Sequence, residues 1–311
     1  MRSSGETVIG FVGLGNMGVP MCKNLADAGF AVIAYDTDQA AGLRADAAHD
    51  AITVVTSLEE LADKARHIVL MVPDSGVVAR VVCGDSGYSD LTVGNDGLSR
   101  FIEPGSIIAD MSSSFPPATV ALGEKLQEAN ITLIDAPVSG GVRKAVTAEL
   151  AIMAGGNTAA IDAFANAFSA MGNVFRTGGL GSGHATKALN NYLSASSLIA
   201  TAEALVIGEA FGLDPAAMNA VFKNSTGRSN TTDVKVDAYF LTENFASGFA
   251  LKLLEKDVGM ARRMSEELGL DASYLQRASA LLHDGMDALE PGIDHTAMYA
   301  FLKASLRKSG Q

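Results

Sequence analysis

Three polar side chains interrupt an apolar stretch, rich in small residues, in the second half of the chain. Lys187 stands three residues before Asn190 and four before Asn191, so all three share one face if the stretch is helical. Lysine is a poor base at its usual pKa of about 10.4, but burial near another positive charge lowers that pKa toward neutrality. An amide such as that of Asn191 both donates to and accepts from a hydroxyl group. The trio predicts proton exchange with an alcohol; the alternative is a solvated lysine on a surface helix, which the apolar surroundings disfavour.

A glycine-rich turn near the N-terminus is the second candidate, Gly13-Leu14-Gly15-Asn16-Met17-Gly18. It follows a predicted strand, Thr7–Val12, and opens a predicted helix, Gly18–Ala28. In this context the first glycine permits the tight turn, Gly15 lets the backbone approach a pyrophosphate, and Gly18 lets helix and strand pack closely. The helix N-terminus adds free N–H groups and the positive end of the helix dipole. The motif predicts a dinucleotide-binding site.

Asp36 indicates which dinucleotide binds. It lies 18 residues after Gly18 and directly follows a second predicted strand, Ala31–Tyr35. At this spacing a carboxylate accepts hydrogen bonds from the ribose hydroxyls and repels a 2′-phosphate. The next residues, Thr37-Asp38-Gln39, offer no arginine for such a phosphate. We therefore predict NAD in preference to NADP; the alternative is a solvated carboxylate at a strand end.

The elements that must position these groups alternate between strands and helices as far as Gly178. Alternation of this kind predicts βαβ units and a parallel sheet covered on both faces. Further strand candidates are His67–Val72, Ser106–Asp110, Ile131–Asp135, Leu150–Ala154 and Val174–Thr177.

After the flexible segment Gly178–Gly183 only helical periodicity follows. A long helix is predicted from His184 to Phe211, and Asp214-Pro215 has the pattern of an N-cap followed by proline at the first helical position. The later predicted helices are Asp214–Lys223, Ala250–Leu268, Tyr274–Gly285 and His295–Arg307. The fold class is therefore α/β: a Rossmann-like parallel-sheet domain over residues 1–178, then a long connecting helix with an all-α substrate and oligomerisation domain over residues 179–311.

Three further segments border the predicted site. Ser139-Gly140-Gly141 follows an apolar strand at its carboxyl end, where open α/β sheets bind ligands; its N–H groups and hydroxyl suit a carboxylate, and the alternative is an ordinary tight turn. His184 is interpreted as a residue of the helix start. The polar segment Asn224–Asp233 is predicted as a loop that approaches the substrate.

Composition excludes several classes of partner. The 311 residues carry a formal net charge of −12, which repels nucleic acid and anionic membranes. Cys22 and Cys83 form no metal-binding or disulfide pattern, and two reduced thiols predict a cytoplasmic protein. We do not expect the short polar segment Met1–Glu6 to be a signal peptide, and no uninterrupted apolar run reaches the roughly 18 to 20 residues of a membrane helix.

Four motifs together resemble those of the β-hydroxyacid dehydrogenase family. They are Gly13–Gly18, Asp135–Gly141 (DAPVSGG), Gly183–Asn191 (GHATKALNN) and Lys256-Asp257. The resemblance implies that Lys187 is catalytic, that Asn191, with Asn190 beside it, positions the substrate, and that Ser139-Gly140-Gly141 binds its carboxylate. It also implies a homodimer or homotetramer and cofactor contacts from Val72-Pro73, Ser113 and Lys256.

The implied reaction is hydride transfer between a small 3-hydroxy acid, such as 3-hydroxyisobutyrate, and NAD, with Lys187 as general acid and base. Reduction of a semialdehyde acid, of the tartronate semialdehyde or sulfolactaldehyde type, is the alternative. Lys187 argues against an imine reductase, and with the glycine motif it argues against a non-catalytic NAD-binding scaffold. A decarboxylating phosphosugar dehydrogenase would need a larger helical domain. Arg143-Lys144 and Ala148-Glu149 depart from the family pattern beside the substrate pocket, so the sequence names no single substrate.

Overall fold

The computed structural model describes residues 8–84 and 96–308. The chain divides into two compact units, Met1–Lys187 and Ala188–Gln311, called unit 1 and unit 2 below. The boundary predicted from the sequence, between residues 178 and 179, stays a prediction. Thr7, where the first strand was predicted to begin, and the Met1–Glu6 segment lie outside the described residues.

Unit 1 contains a mixed sheet whose larger part is parallel. Its strands pair in the order β3-β2-β1-β4-β5-β6, and each of these pairs is parallel. This order confirms the predicted parallel-sheet domain. The strands of the sheet are β1 (Val8–Val12), β2 (Ala31–Tyr35), β3 (Ile52–Val54), β4 (His67–Leu70), β5 (Ile107–Asp110), β6 (Thr132–Asp135), β7 (Val138–Ser139), β8 (Leu150–Gly155) and β9 (Gly172–Gly178).

The sheet continues past β6 with a different arrangement. Strand β8 runs antiparallel to β6 and to β7, while β9 pairs with β8 in parallel. Only about ten residues connect β7 to β8, and a parallel crossover needs a dozen or more. The short connection therefore reverses the chain direction, and the sequence pattern did not reveal the two-residue strand β7.

Helices cover both faces of the sheet, as predicted. Phe11 packs in one apolar cluster with residues of α1 and α9, whereas its neighbour Val12 packs in another with residues of α3 and α4. Successive side chains of a strand point to opposite faces, which explains the division. The helices of unit 1 are α1 (Gly18–Asp27), α2 (Gln39–Asp46), α3 (Leu58–Ala62), α4 (Ser75–Cys83), α5 (Leu98–Phe101), α6 (Pro116–Glu128), α7 (Gly141–Val146), α8 (Thr158–Ala163) and α9 (Ala165–Met171).

One long helix, α10 (Ser182–Phe211), continues from unit 1 into unit 2. It has 30 residues and is about 45 Å long at 1.5 Å per residue. Among the described residues, it alone is long and apolar enough to cross a membrane by length and composition, and a large part of it is buried within the protein. Core helices of proteins that do not enter a membrane can be equally long and apolar. The predicted start at His184 lies two residues inside the observed helix.

Unit 2 is helical. Asp214 accepts a hydrogen bond from the backbone N–H of Ala217 and Pro215 opens the next helix, which confirms the predicted cap. The elements are α11 (Pro215–Lys223), a π-helix (Thr231–Phe240), α12 (Leu251–Glu267), α13 (Ser273–Ala288), a 3₁₀ turn (His295–Ala297) and α14 (Met298–Lys308).

The π-helix corrects the end of the polar loop predicted over Asn224–Asp233, whereas residues 224–229 are turn or irregular as predicted. Its first three residues fall within that segment, and its end is marked by the backbone hydrogen bond from Leu241 N–H to Val236 C=O, at 3.0 Å. Sequence patterns for the α-helix use a 3.6-residue period and do not detect the wider π-helix turn. π-helical segments are frequent at functional sites.

Candidate active site

The predicted residues of unit 1 gather at one edge of the sheet. The strand pairs align Val12 with Tyr35 and with Leu70, Leu70 with Asp110, and Asp110 with Asp135. The carboxyl ends of the five parallel strands β2, β1, β4, β5 and β6 therefore form one row. This edge is the usual place for a ligand in such a sheet. The segments that follow these strand ends contain Gly13–Gly18, Asp36, Val72-Pro73, Ser113 and Ser139-Gly140-Gly141.

The three glycines of the turn differ in the space around them, and only Gly15 borders open space. Gly13 has φ +101°, and a Cβ there would collide with the carbonyl oxygen of Met71. A Cβ on Gly18 would collide with the carbonyl oxygen of Gly13, whereas a Cβ on Gly15 would meet no atom of the described residues within 4 Å. Gly13 and Gly18 are thus required by the fold, and Gly15 borders open space, where the motif predicts the pyrophosphate.

Asp36 and the start of α1 complete this part of the site. The Asp36 carboxylate accepts hydrogen bonds from the N–H of Leu14, at 2.5 Å, and from the N–H of Asp38, at 2.8 Å. It is therefore held against the glycine turn. Among the described residues no side chain caps α1 at Met17, so its first N–H groups suit a phosphate. These residues fit NAD, with the ribose at Asp36.

The loops after β4 and β5 are tied together through Asp110. The buried Asp110 carboxylate accepts hydrogen bonds from the N–H of Ser112, at 2.9 Å, and the hydroxyl of Ser114, at 2.8 Å. The hydroxyl of Ser112 in turn accepts a hydrogen bond from the N–H of Val72, at 3.1 Å. Ser113, half-buried, therefore lies on a loop whose neighbours are fixed, and Val72 is held beside it.

The predicted carboxylate loop has a backbone that only glycine adopts easily. Gly140 has φ +133° and Gly141 has φ +66°, both in the region that favours glycine. The aliphatic stem of Lys144 packs over Gly140, while a Cβ on Gly141 would meet no atom within 4 Å in the part of the chain that the structure describes. Ser139 is half-buried at the end of β7, so its hydroxyl and the exposed glycine backbone lie on an accessible turn.

A buried polar cluster fixes the first turn of α10. The Asp135 carboxylate accepts hydrogen bonds from the N–H of Gly181, at 2.8 Å, and the N–H of His184, at 2.7 Å. The His184 ring lies 2.9 Å from the Thr119 hydroxyl through Nδ1, and its Nε2 lies 3.7 Å from an Asp110 oxygen. The sequence pattern predicts only a helix-start residue at His184, so this role was missed. The signal was available: Asp135 and His184 are polar residues in two of the four motifs.

Lys187, Asn190 and Asn191 all lie on α10, as the spacing predicts. Asn191 is only 6% exposed, and its Nδ2 donates to Asp257 Oδ2 at 2.6 Å. Asn190 donates to Asn191 Oδ1 at 3.3 Å, and Lys256 Nζ lies 3.6 Å from Asp257 Oδ1. Unit 2 thus brings three predicted residues, Asn190, Asn191 and Lys256, into one network through Asp257. Half-buried Lys187 precedes Asn191 by one helical turn.

A buried lysine of unit 2 was missed. Lys235, in the π-helix, is only 8% exposed, and its Nζ donates to the hydroxyl of Ser194 on α10 at 3.4 Å. Burial lowers the pKa of Lys235 to about 8, although the negative charge of Asp294 acts in the opposite direction. The sequence pattern did not predict this contact, because Lys235 and its partner Ser194 are 41 residues apart in the chain.

Two family descriptions match the chain. The NAD binding domain of 6-phosphogluconate dehydrogenase matches residues 8–179, and the NAD-binding domain of NADP-dependent 3-hydroxyisobutyrate dehydrogenase matches residues 181–302.

Similar proteins cover most of the chain. 2-(Hydroxymethyl)glutarate dehydrogenase of Eubacterium barkeri is 33% identical over 89% of this chain and 88% of its own length. Human mitochondrial 3-hydroxyisobutyrate dehydrogenase is 34% identical over 83% of this chain and 75% of its own. A structure of Mycobacterium tuberculosis 3-hydroxyisobutyrate dehydrogenase with L-serine has a TM-score of 0.85 at 28% identity, covering 96% of this chain and 99% of that one.

Proposed function

We propose that this chain, which belongs to the β-hydroxyacid dehydrogenase family, oxidises a small 3-hydroxy carboxylic acid with NAD as the hydride acceptor. The observation that carries the proposal is the face of α10 on which Lys187 precedes Asn191 by one turn while Asp257 holds the Asn191 amide at 2.6 Å. A basic group and a fixed amide, side by side, are what proton exchange with an alcohol requires.

NAD, when bound, would supply the acceptor for the hydride of the carbinol carbon. Lys187 Nζ would accept the proton of the substrate hydroxyl in the oxidation, and in the reverse reduction it would return that proton to the oxygen. Asp257 binds one N–H of the Asn191 amide, which leaves the second N–H to orient the substrate oxygen. The turn Ser139-Gly140-Gly141 binds the substrate carboxylate through its N–H groups and the Ser139 hydroxyl.

The preference for NAD is assigned to Asp36. Its carboxylate is fixed by the N–H groups of Leu14 and Asp38, so it cannot turn away from a 2′-phosphate without losing both hydrogen bonds. We therefore expect a higher kcat/KM with NAD than with NADP, and we expect Asp36→Ala to reduce that ratio by removing the repulsion.

We also propose a homodimer or homotetramer in the cytoplasm. Large apolar side chains along α10, among them Leu193, Ile207 and Phe211, are 66%, 66% and 83% exposed, and a second copy of the chain would cover them. Cys22 and Cys83 are both buried and unpaired, which suits a reducing compartment. Light scattering of the purified protein tests the assembly: a monomer, or protein that stays dispersed only in detergent, would contradict it.

The experiment that tests the function is an initial-rate assay of NADH formation. NAD and NADP are supplied separately with 3-hydroxyisobutyrate, L-serine, glycerate and threonate. We expect turnover with NAD, and a loss of about 10²- to 10⁴-fold in kcat for Lys187→Ala. Lys252→Ala removes an exposed lysine of α12 and serves as the control for lost charge. Turnover that survives in Lys187→Ala would overturn the assignment of the proton carrier.

A further inference from the structure

The polar face of α10 extends beyond the residues that the proposed reaction uses. Ser194 follows Asn191 by three residues, so it lies on the same face about 4.5 Å further along the helix. Its hydroxyl accepts a hydrogen bond from Lys235 Nζ. An ammonium group is therefore held on this face, beyond the position of the reacting hydroxyl.

Lys235 is nine-tenths buried without a carboxylate partner. Within residues 8–84 and 96–308, its polar contact is the Ser194 hydroxyl at 3.4 Å, and no ion pair joins it to Asp or Glu. Buried lysines are normally paired with an anion, because removing an ammonium group from water otherwise costs roughly several kcal/mol. A neutral serine hydroxyl supplies only part of that compensation.

Asp294, the acid whose charge acts on Lys235, is already occupied by its own neighbours. Its carboxylate accepts hydrogen bonds from the Ser247 hydroxyl, the N–H of Gly248 and the N–H of Thr296, at 2.8, 2.8 and 2.9 Å. Burial would raise the pKa of Asp294, but hydrogen bonds from His295 and Thr296 outweigh it and hold that pKa below its usual range. Asp294 is thus a fixed anion that does not need Lys235.

We propose that the ammonium group of Lys235 binds a second carboxylate of the substrate, so that the preferred 3-hydroxy acid is a dicarboxylate. The proposal rests on the function proposed above, because it takes the reacting hydroxyl to lie beside Lys187 and Asn191. From there a substituent of two methylene groups and a carboxylate spans the helical rise of about 4.5 Å to Ser194. The bound carboxylate supplies the anion that the buried lysine lacks.

Protonation supports this assignment. Burial lowers the pKa of Lys235 to about 8, and Asp294 opposes that shift. Lys235 is therefore mainly charged at pH 7 and loses its charge as the pH rises through about 8. A bound carboxylate would raise its pKa again. Binding of the second carboxylate should weaken above pH 8 and should take up a proton there.

A matched pair of substrates isolates the second carboxylate. 2-(Hydroxymethyl)glutarate and 2-(hydroxymethyl)pentanoate differ only in a carboxylate replacing a methyl group at the end of the substituent. We expect the wild type to prefer the first, and Lys235→Met to lower the ratio of their kcat/KM values by about tenfold or more, since a buried charge pair is lost. Methionine keeps the apolar stem of lysine, and Lys252→Met on the surface of α12 is the control for charge. An unchanged ratio in Lys235→Met would overturn the proposal.

Direct binding separates this proposal from the proposed function. Titration calorimetry of the full-length protein compares glutarate with pentanoate, which has five carbons and one carboxylate. We expect tighter binding of glutarate at pH 7, with proton uptake at pH 9 that Lys235→Met lacks. If neither hydroxy acid is oxidised but glutarate binding depends on Lys235, the function fails and the anion site stands. If 3-hydroxyisobutyrate is oxidised but glutarate binds no better than pentanoate, the anion site fails alone.

Discussion

The candidate site residues of unit 1 and those of unit 2 are of different chemical kinds. In unit 1 the site is mainly backbone: Gly13, Gly15 and Gly140 set its shape, and local φ angles and free space decide what fits. In unit 2 it consists of buried side chains paired over long sequence distances, as Asn191 with Asp257 across 66 residues. A backbone site should therefore be sensitive to one added methyl group, whereas a side-chain site should be sensitive to loss of one polar atom.

Gly18→Ala tests the backbone site with the largest expected effect. The added Cβ would collide with the carbonyl oxygen of Gly13, and neither backbone segment can yield without moving β1 from α1. We expect a loss of about 3 kcal/mol in the free energy of unfolding together with loss of NAD binding. Urea unfolding and NADH fluorescence measure both; a variant as stable as wild type would show that the turn is less tightly packed than its geometry indicates.

The pH dependence of stability tests the side-chain site of unit 2. Because the pKa of Lys235 is lowered from 10.5 to about 8 in the folded protein, the unfolded chain binds more protons between these values. The free energy of unfolding should therefore rise with pH in that window, by up to about 3 kcal/mol from this group. The difference between wild type and Lys235→Met in this pH dependence isolates the contribution of Lys235 from that of other groups. Parallel curves for the two proteins would show that Lys235 is not held in a buried, uncompensated state.

Asp135→Asn tests the anchoring of α10 in unit 1. An amide oxygen replaces the carboxylate that accepts the N–H groups of Gly181 and His184, so one charge-assisted bond is lost. We expect a loss of about 2 kcal/mol in the free energy of unfolding. We also expect a fall in kcat, because Lys187 lies one turn further along α10. Thr147→Ala, at an exposed site, is the control, and an unchanged kcat in the destabilised variant would separate anchoring from catalysis.

Gly15→Ala sharpens the contrast with Gly18→Ala. The added Cβ meets no atom within 4 Å among residues 8–84 and 96–308, so the free energy of unfolding should be unchanged within about 0.5 kcal/mol. The methyl group enters the space for the pyrophosphate, and NAD binding should weaken by about tenfold or more. If stability and affinity fell together, the two glycines would not have separate roles.

Asp257→Asn has the smallest expected effect. The variant keeps a polar partner for Asn191 but loses the anion at 2.6 Å that orients its amide. We expect kcat to fall by about fivefold with little change in KM or stability, since the amide is displaced rather than removed. Steady-state kinetics measures kcat and KM, and thermal unfolding measures stability. A rise in KM alone would indicate that Asp257 serves substrate binding instead of positioning Asn191.

The parts of the fold that depend on local pattern were predictable. Apolar runs located β1, β2, β4 and β5 within two residues at either end where the residues are described, and Asp214-Pro215 located the start of α11. The three-residue β3 and the two-residue β7 are too short to show a period. The π-helix escaped for a different reason, because its turn matches no pattern used to find helices.

The sequence by itself determined the glycine turn, the Lys187–Asn191 spacing and the family motifs, because φ preferences and helical periodicity act over a few residues. Only the tertiary structure decided that Asp257 holds Asn191, that Asp135 fixes the first turn of α10, and that Lys235 lies buried against Ser194. Those contacts join residues between 41 and 66 positions apart. Packing of whole elements chooses such partners, since a polar side chain becomes committed to one partner only after burial removes water as the alternative.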